Sequence, residues 1–500
     1  MSKVQALIGQ GARVANHAPV PRVHLHESLW REAVDALADG KPSLLSLWGA
    51  PDAVHMALIE DGQIAVFSLD CPRGRFPSVG TEHAPAIRLE RAIADLYGLV
   101  ADGAADTRPW LDHGRWGVAH PLGRASQVAT EAKSYPFLAN DGESLHQIPV
   151  GPVHAGIIEP GHFRFTASGE TVVRLEERLG YVHKGIGGLM AGADLAKAAK
   201  LAGRTSGDST VAYACAFARA VEAATGIEVP PRAHYLRALM AELERVANHF
   251  GDIGAICNDA SFAIMLAHCG VLRERMLRFA GAAFGHRLMM DCVIPGGVAV
   301  DLTPDGTTEL YRLLEEIRRT FPRLIELYDR TASLQDRTVG TGILHPDLAR
   351  KFAPGGYVGR ASGQAFDARK TMPYPPYDVL DFTVPTRPEG DVNARVWIRI
   401  DEVGESLSLI DRILVGMPAG PTKCEVPVRA GGGLALVEGF RGDVLVWVEV
   451  GDDGKVGQCH LRDPSWFQWP LLEAVIEGNI VADFPLCNKS FNCSYSGHDL

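Results

Sequence analysis

The stretch PPRAHYLRALMAELERVANHF, Pro230 to Phe250, decides the architecture of this chain. Two prolines open it, and a proline fits the first turn of a helix because its missing N–H has no partner there to lose. Leu236, Met240, Leu243, Ala247 and Phe250 then recur at three- and four-residue steps, which gives one apolar helical face. Glu242, Glu244 and Arg245 share the helix. Glu242 and Arg245, three apart, read as a solvated or inter-helix ion pair, while a buried glutamate here would have a raised pKa and could carry protons. Further helices are predicted on both sides, over Ala191–Leu201 and Val211–Ala224, then Phe262–Phe284 and Thr307–Arg330. The first two are interrupted by Gly203-Arg204-Thr205-Ser206-Gly207-Asp208-Ser209. A central helical bundle follows.

The ends of the chain read differently. Residues 1–120 alternate strand-like runs, such as Ser43–Trp48 and Gln63–Phe67, with turn signals such as Asp61-Gly62. One amphipathic segment, Ala84–Tyr97, is stopped by Gly98; this is a small α+β unit. Residues 121–150 are polar and irregular, a linker. The C-terminal third mixes strands (Val396–Ile400, Val444–Val450) with helices (Glu402–Leu414, Leu471–Glu477). The expected class is α+β, with an N-terminal domain over 1–120 and a larger, bundle-centred domain over 151–500 that carries small peripheral sheets.

Composition narrows the function. Hydrophobic residues at 46% and charged residues at 22% suit a globular protein. Forty-nine basic against 60 acidic residues give a net charge of −11, and there is no basic run of the kind that binds nucleic acid. The N-terminus lacks the apolar core of a signal peptide, and no stretch reaches the roughly 18 apolar residues of a spanning helix. Any membrane link is therefore expected to run through partner subunits. Nine scattered cysteines read as reduced, mostly buried thiols of a cytoplasmic protein. Gly431-Gly432-Gly433 has neither the P-loop lysine nor the Rossmann spacing, so no nucleotide site is expected.

Several stretches resemble a known family. Glu90-Arg91, Asp95-Leu96-Tyr97-Gly98 and Asp106-Thr107-Arg108-Pro109-Trp110-Leu111-Asp112-His113-Gly114-Arg115-Trp116 resemble the small peripheral-arm subunit of complex I. They resemble still more the N-terminal half of the fused formate hydrogenlyase and hydrogenase 4 large subunits. From Gly151-Pro152-Val153-His154 and Glu159-Pro160-Gly161-His162-Phe163-Arg164-Phe165 onward, the chain is similar to the group 4 NiFe-hydrogenase large subunit and to its complex I relative that lines the quinone pocket. Glu177–Gly185, Glu242–His249, Gly359–Gly363, Asp378–Phe382, Met417–Lys423 and Asp463-Pro464-Ser465 continue the likeness.

The departures matter most. A NiFe centre is held by two CxxC pairs, because soft thiolates suit those metals, and this chain contains no CxxC. Ser206-Gly207-Asp208-Ser209 stands at the first pair; at the second, Ser494 and Gly497 take the ligand positions and Cys493 lies one residue out of register. The family's proton-relaying glutamate is absent from Lys184-Gly185-Ile186-Gly187, and no tail follows Leu500 for a maturation protease to remove. The resemblance thus implies a chain without a NiFe centre. Complex I's quinone-binding tyrosine falls at Gly207, its loop histidine at His154 or His162, and Tyr213 could place a hydroxyl in the same cavity.

Each candidate also has a plainer reading. Ser206, Asp208 and Ser209 form a polar cavity for a quinone-like ligand or a proton path, or else Ser206 and Ser209 are helix caps beside a glycine turn. Arg204 is a pocket cation or a structural ion-pair partner. His249, His268 and His286 fit core or surface roles, and Asp106, Arg108, Asp112 and Arg115 fit a domain-packing network. Cys487, Cys493, His498 and Asp483 lack the short-loop spacing of zinc sites.

The resemblance implies an electron-transfer and coupling subunit of a membrane-bound, complex I-like oxidoreductase, on the cytoplasmic face of the inner membrane. It would bind no cofactor of its own beyond a possible quinone. Its expected partners are an iron–sulfur small subunit with a [4Fe–4S] cluster, a ferredoxin-like subunit and antiporter-like integral membrane subunits. A genuine formate hydrogenlyase-type NiFe-hydrogenase large subunit and a non-catalytic scaffold are the alternatives.

Overall fold

Asp61 and Gly62 adopt φ of 50° and 75°, the left-handed pair that a two-residue hairpin needs. They join strand Ala53–Glu60 to strand Gln63–Asp70, with Glu60 opposite Gln63. These strands belong to a five-stranded sheet in the order Ala12–Arg13, Arg22–His24, Gln63–Asp70, Ala53–Glu60, Ser43–Ala50. Alternation along the strands sends Leu47, Met56, Leu58 and Phe67 toward helices Glu27–Ala38 and Ile87–Tyr97. The latter ends where expected, on Gly98 at φ 72°. The computed structural model describes residues 2–500 except 125–126, 129–133, 141, 143 and 156.

The opposite face of this sheet meets a second one. Trp48, Ala57, Ile64 and Val66 pack with Leu434, Leu436, Leu445 and Trp447. The second sheet runs in the order Val456–Arg462, Asp443–Val450, Gly431–Glu438, His17–Ala18, so a strand from the N-terminal part is built into it. Gly433 explains the glycine run: a Cβ there would lie 1.9 Å from the carbonyl oxygen of Ala220, so the glycines let a strand press onto a helix. Residues 145–150 of the expected linker form a strand, Leu145–Val150, paired with His162–Ser168, which pairs in turn with Thr171–Arg178.

The bundle centres on helix Pro231–Asp259. Leu236, Met240, Leu243, Ala247 and Phe250 are all buried, as their spacing implies, but so are Glu242, Glu244, Arg245, Asn248 and His249. Helices Ala263–Phe284 and Val392–Gly416 pack against it. Glu242 accepts from Arg369 at 2.9 Å, Tyr377 at 2.6 Å and Ser406 at 2.7 Å, with Arg245 3.4 Å away. Its expected pairing is thus part of a buried inter-helix network. His249 is a core histidine whose Nε2 meets Glu402 at 2.6 Å and whose buried Nδ1 has no partner among the described residues.

One secondary-structure expectation fails. Val396–Ile400 is helical, inside Val392–Gly416, which Asp391 caps by accepting the Ala394 N–H at 2.7 Å. The run V-W-I-R-I alternates like a strand because Arg395 and Arg399 are themselves buried, Arg395 on the carbonyls of Gly390 and Gly342 and Arg399 on Asp252 at 3.0 Å. Polar groups on an enclosed helix blur the 3.6-residue period that sequence reading relies on. The nine cysteines are free, eight of them buried. Among the described residues no helix is long and apolar enough to cross a membrane.

Candidate functional site: a hydroxyl-lined junction and its cleft

Two chain segments meet where the bundle contacts the C-terminal end. Helix Leu195–Gly203 ends at Arg204, and a short turn over Gly207–Ser209 leads into helix Thr210–Thr225. On the other side, helix Phe484–Phe491 stops at Asn492 (φ 45°), and Ser494 caps the short helix Tyr495–Asp499. Ser206 Oγ lies 2.9 Å from Ser494 Oγ. Ser206 donates to Asp208 Oδ1 at 2.8 Å, and Ser494 Oγ accepts the Gly497 N–H at 2.9 Å. With Ser206 spending its one proton on Asp208, Ser494 is the donor between the two hydroxyls.

Charge is settled by an arginine that sequence reading did not single out. Arg441 forks onto Asp208 at 2.8 and 2.6 Å, reaches Ser209 Oγ at 3.2 Å and donates to the Asn492 carbonyl at 2.5 Å. Burial alone would raise the Asp208 carboxyl, but the Arg441 guanidinium holds it below the usual carboxylate value. Next to it, Asn248 donates to the Asp208 carbonyl at 2.7 Å. Glu244 accepts the N–H groups of Val211 and Ala212 at 2.8 and 3.2 Å, at the start of helix Thr210–Thr225. Burial nevertheless pushes Glu244 up to about 8, so it is largely protonated at neutral pH.

Beside this junction opens a cleft of about 480 Å³ lined by Lys184, Arg204, Gly207 and Ser496, among others. A Cβ at Gly207 would meet nothing within 4 Å, so the backbone there borders open space. Lys184 donates to the Ser496 carbonyl at 3.1 Å, and partial burial lowers its pKa. Arg204 sits at the cleft with Asp291 forked onto it at 2.6 and 2.8 Å; it is ion-paired and still 43% exposed.

The other expected residues diverge from the cleft. Tyr213 is fully buried and donates to Asp463 Oδ2 at 2.7 Å. His154 contacts the Tyr495 hydroxyl at 3.2 Å, one residue from Ser494. His162 begins the strand His162–Ser168 and faces Phe137, with ring centroids 5.0 Å apart. None of the three lines the cleft. Asp463 was legible only as part of a motif; its Oδ1 accepts the Ser465 N–H at 2.9 Å, and Ser465 Oγ accepts the Ser494 N–H at 2.8 Å.

The N-terminal part reaches this region directly. Trp110 Nε1 donates to His498 Nε2 at 3.1 Å, which puts the His498 proton on Nδ1, 2.8 Å from Asp499 Oδ1. Arg88 pairs with Glu177 at 3.1 Å and Glu473 at 2.7 Å, and Arg108 pairs with Asp106 and Glu176. Asp106 and Arg108 therefore do belong to a packing network.

The donor set is ill suited to a nickel–iron centre. It offers two hydroxyls bonded to each other and a carboxylate forked by an arginine, where soft metals need thiolates. A Cβ at Gly497 would lie 2.3 Å from Asp463 Oδ2, so a side chain at that ligand position collides with the carboxylate that fills it. Cys493 is buried, with its sulfur 4.0 Å from Gln468 Oε1 and its thiol pushed well up by burial; it is not a thiolate. Among the described residues, no group of three or more His, Cys, Asp or Glu side chains is placed to hold a metal.

Residues 259–430 match the family model of the respiratory-chain NADH dehydrogenase 49 Kd subunit. Formate hydrogenlyase subunit 5 of Escherichia coli (strain K12) is 32% identical over 445 residues, covering 86% of this chain and 78% of that protein. The NADH-quinone oxidoreductase C/D protein of Bacteroides thetaiotaomicron is 27% identical, covering 89% and 90%. A chain of the membrane-bound sulfane sulfur reductase, an archaeal respiratory membrane complex, superposes with a TM-score of 0.68 at 26% identity, covering 72% of this chain and 100% of that one.

Proposed function

The chain belongs to the family of large subunits found in hydrogenases such as formate hydrogenlyase and in NADH–quinone oxidoreductases, and from that premise we propose that it is the electron-transfer and coupling subunit of a membrane-bound, complex I-like oxidoreductase. Its partners are an iron–sulfur small subunit whose [4Fe–4S] cluster faces the Ser206–Ser494 junction, a ferredoxin-like subunit and antiporter-like membrane subunits. The assembly sits on the cytoplasmic face of the membrane. The cleft takes a quinone-like acceptor, which becomes a quinol by gaining two electrons and two protons.

The observation that supports this reading is the 2.9 Å contact between Ser206 and Ser494. The two segments that the resemblance aligns with the family's metal-ligand motifs meet here through hydroxyls. Lys184 lines the cleft with Glu159 and with Arg204, which is paired to Asp291; its ammonium is the group that would meet an acceptor turning negative, and Glu244 stores a proton nearby. A change of charge in such a pocket can bias distant partners as a local electrostatic switch. A hydrogenase proper would require nickel to be held without thiolates, which ligand chemistry disfavours.

Metal analysis of the purified native complex, paired with a hydrogen-uptake assay, tests this. Iron without nickel and no hydrogen turnover is the expected result. Nickel near one per complex with hydrogen turnover would overturn it. Substituting Asp208 separates the cleft from a scaffold: lost electron transfer in an intact assembly supports the cleft, and an unchanged rate supports a scaffold.

A further inference from the structure

Helix Thr210–Thr225 carries a second feature, away from the Ser206–Ser494 junction. Arg219 has a buried Nε with no hydrogen-bond partner, and among the described residues no carboxylate lies within ion-pair distance of it. Glu222, nearly one turn on, is already committed: its oxygens take Arg237 at 2.9 and 2.5 Å and the Gly296 N–H at 2.8 Å. The Arg219 guanidinium lies over the ring of Tyr374, 4.5 Å from the centroid. His234, in the first turn of helix Pro231–Asp259, also has a buried Nδ1 without a partner. Burial lowers the pKa of both groups, that of His234 to about 4.

Both side chains line one cavity of about 690 Å³, with Val20, Ile64, Met372 and Leu436 among its apolar walls. That volume falls in the range of small-molecule sites, about 300–1,000 Å³. A guanidinium cannot discharge itself as a lysine can. Arg219 is half-buried, but its enclosed Nε has no acceptor among the described residues, and a buried donor left unpaired is unfavourable, so an acceptor from outside the chain would complete it. Glu222, already paired to Arg237, and Glu228 and Asp378 also line the cavity; these carboxylates disfavour a polyanion, so a ligand that meets Arg219 carries no more than one negative charge. The apolar walls ask for an apolar body behind it.

We propose that this cavity binds a monocarboxylate with an apolar body, its carboxylate forked on Arg219 with His234 beside it. Such charge-assisted, two-pronged pairing is the geometry that arginine favours with carboxylates.

Isothermal titration calorimetry on the full chain tests this with decanoate as the probe, held below its micellar range. Decan-1-ol and inorganic phosphate serve as controls. Decanoate is expected to bind at one site, with both controls about ten-fold weaker or more, since each lacks half of what the site recognises. Arg219→Gln should weaken decanoate by about ten-fold or more. Ala223→Phe, which fills the cavity and leaves Arg219 in place, should abolish binding and carries the test if the first variant does not fold. Absent decanoate binding, decanol or phosphate binding as tightly, or both variants binding like the parent chain would each overturn the proposal.

Discussion

Ser206 and Ser494, 288 residues apart in the chain, bring their hydroxyl oxygens to 2.9 Å. Ser206 donates to Asp208 and Ser494 accepts the Gly497 N–H, so each hydroxyl is both donor and acceptor. Ser206→Ala and Ser494→Ala are each expected to cost about 1–3 kcal/mol, the range for leaving a buried partner unsatisfied. The double variant should cost less than the sum of the two, because both singles break the same bond. Chemical denaturation of the four proteins reads the coupling; strict additivity would mean that the hydroxyls do not interact.

Gly497 and Gly207 make a matched contrast. A Cβ at Gly497 would reach within 2.3 Å of Asp463 Oδ2, whereas one at Gly207 would meet nothing within 4 Å. Gly497→Ala should displace Asp463 from Tyr213 and destabilise the protein by about 1–3 kcal/mol, the usual cost of overpacking. Gly207→Ala should stay within about 0.5 kcal/mol of the parent. Equal melting temperatures for the two variants would contradict this packing.

Asp208 gives a pH signature. Its folded pKa is depressed by Arg441, so its pairing stabilises the protein above the ordinary carboxylate range and is lost as pH falls through the folded value. Arg441→Gln is expected to cost about 1–3 kcal/mol at pH 7, less than a fully buried pair because the Asp208 side chain is 35% exposed. The gap to the parent should narrow toward pH 3. A gap that is constant with pH would assign the loss to packing.

Glu244 runs the other way. Its folded pKa is raised to about 8, so the folded state binds a proton that the unfolded state releases above the ordinary carboxylate range. Stability therefore declines as pH rises from that range toward 8. Glu244→Gln, always neutral, should flatten the fall between pH 6 and pH 9. Melting curves across that interval check it, and an identical slope in both proteins would count against a protonated Glu244.

Lys184 and the cleft test function more directly. Gly207→Phe has open space to enter and should fold normally while cutting electron transfer to an added quinone by about ten-fold or more, roughly the 1.4 kcal/mol that each decade represents. Unchanged turnover in an assembled complex would place the acceptor elsewhere.

Much of the architecture was legible because it is written in local signals. Gly98 stops a helix, Asp61-Gly62 turns a hairpin and the apolar steps from Leu236 to Phe250 mark the central helix, each acting within a few residues. Val396–Ile400 misled for the complementary reason: Arg395 and Arg399 look like surface positions until the Ser490 hydroxyl with the Gly390 and Gly342 carbonyls is seen to hold Arg395, and Asp252 with the Ser490 carbonyl to hold Arg399. At the site, Ser206, Asp208 and Ser494 stood out through the family's metal motifs. Arg441 and Asp463 did not, since an arginine in a turn and an aspartate before a proline carry no spacing that names their partners.

The sequence by itself determined the α+β class, the helix order and the loss of the thiolate pairs, because periodicity, caps and ligand chemistry act over short spans of chain. Only the tertiary structure decided what occupies the vacated positions. Asp208 finds Arg441 233 residues away and Tyr213 finds Asp463 at a separation of 250; Arg441 then holds the Asp208 pKa down against burial, while burial pushes that of Glu244 up. Charge and protonation depend on which groups share a low-dielectric space, and that proximity exists only once the chain has folded.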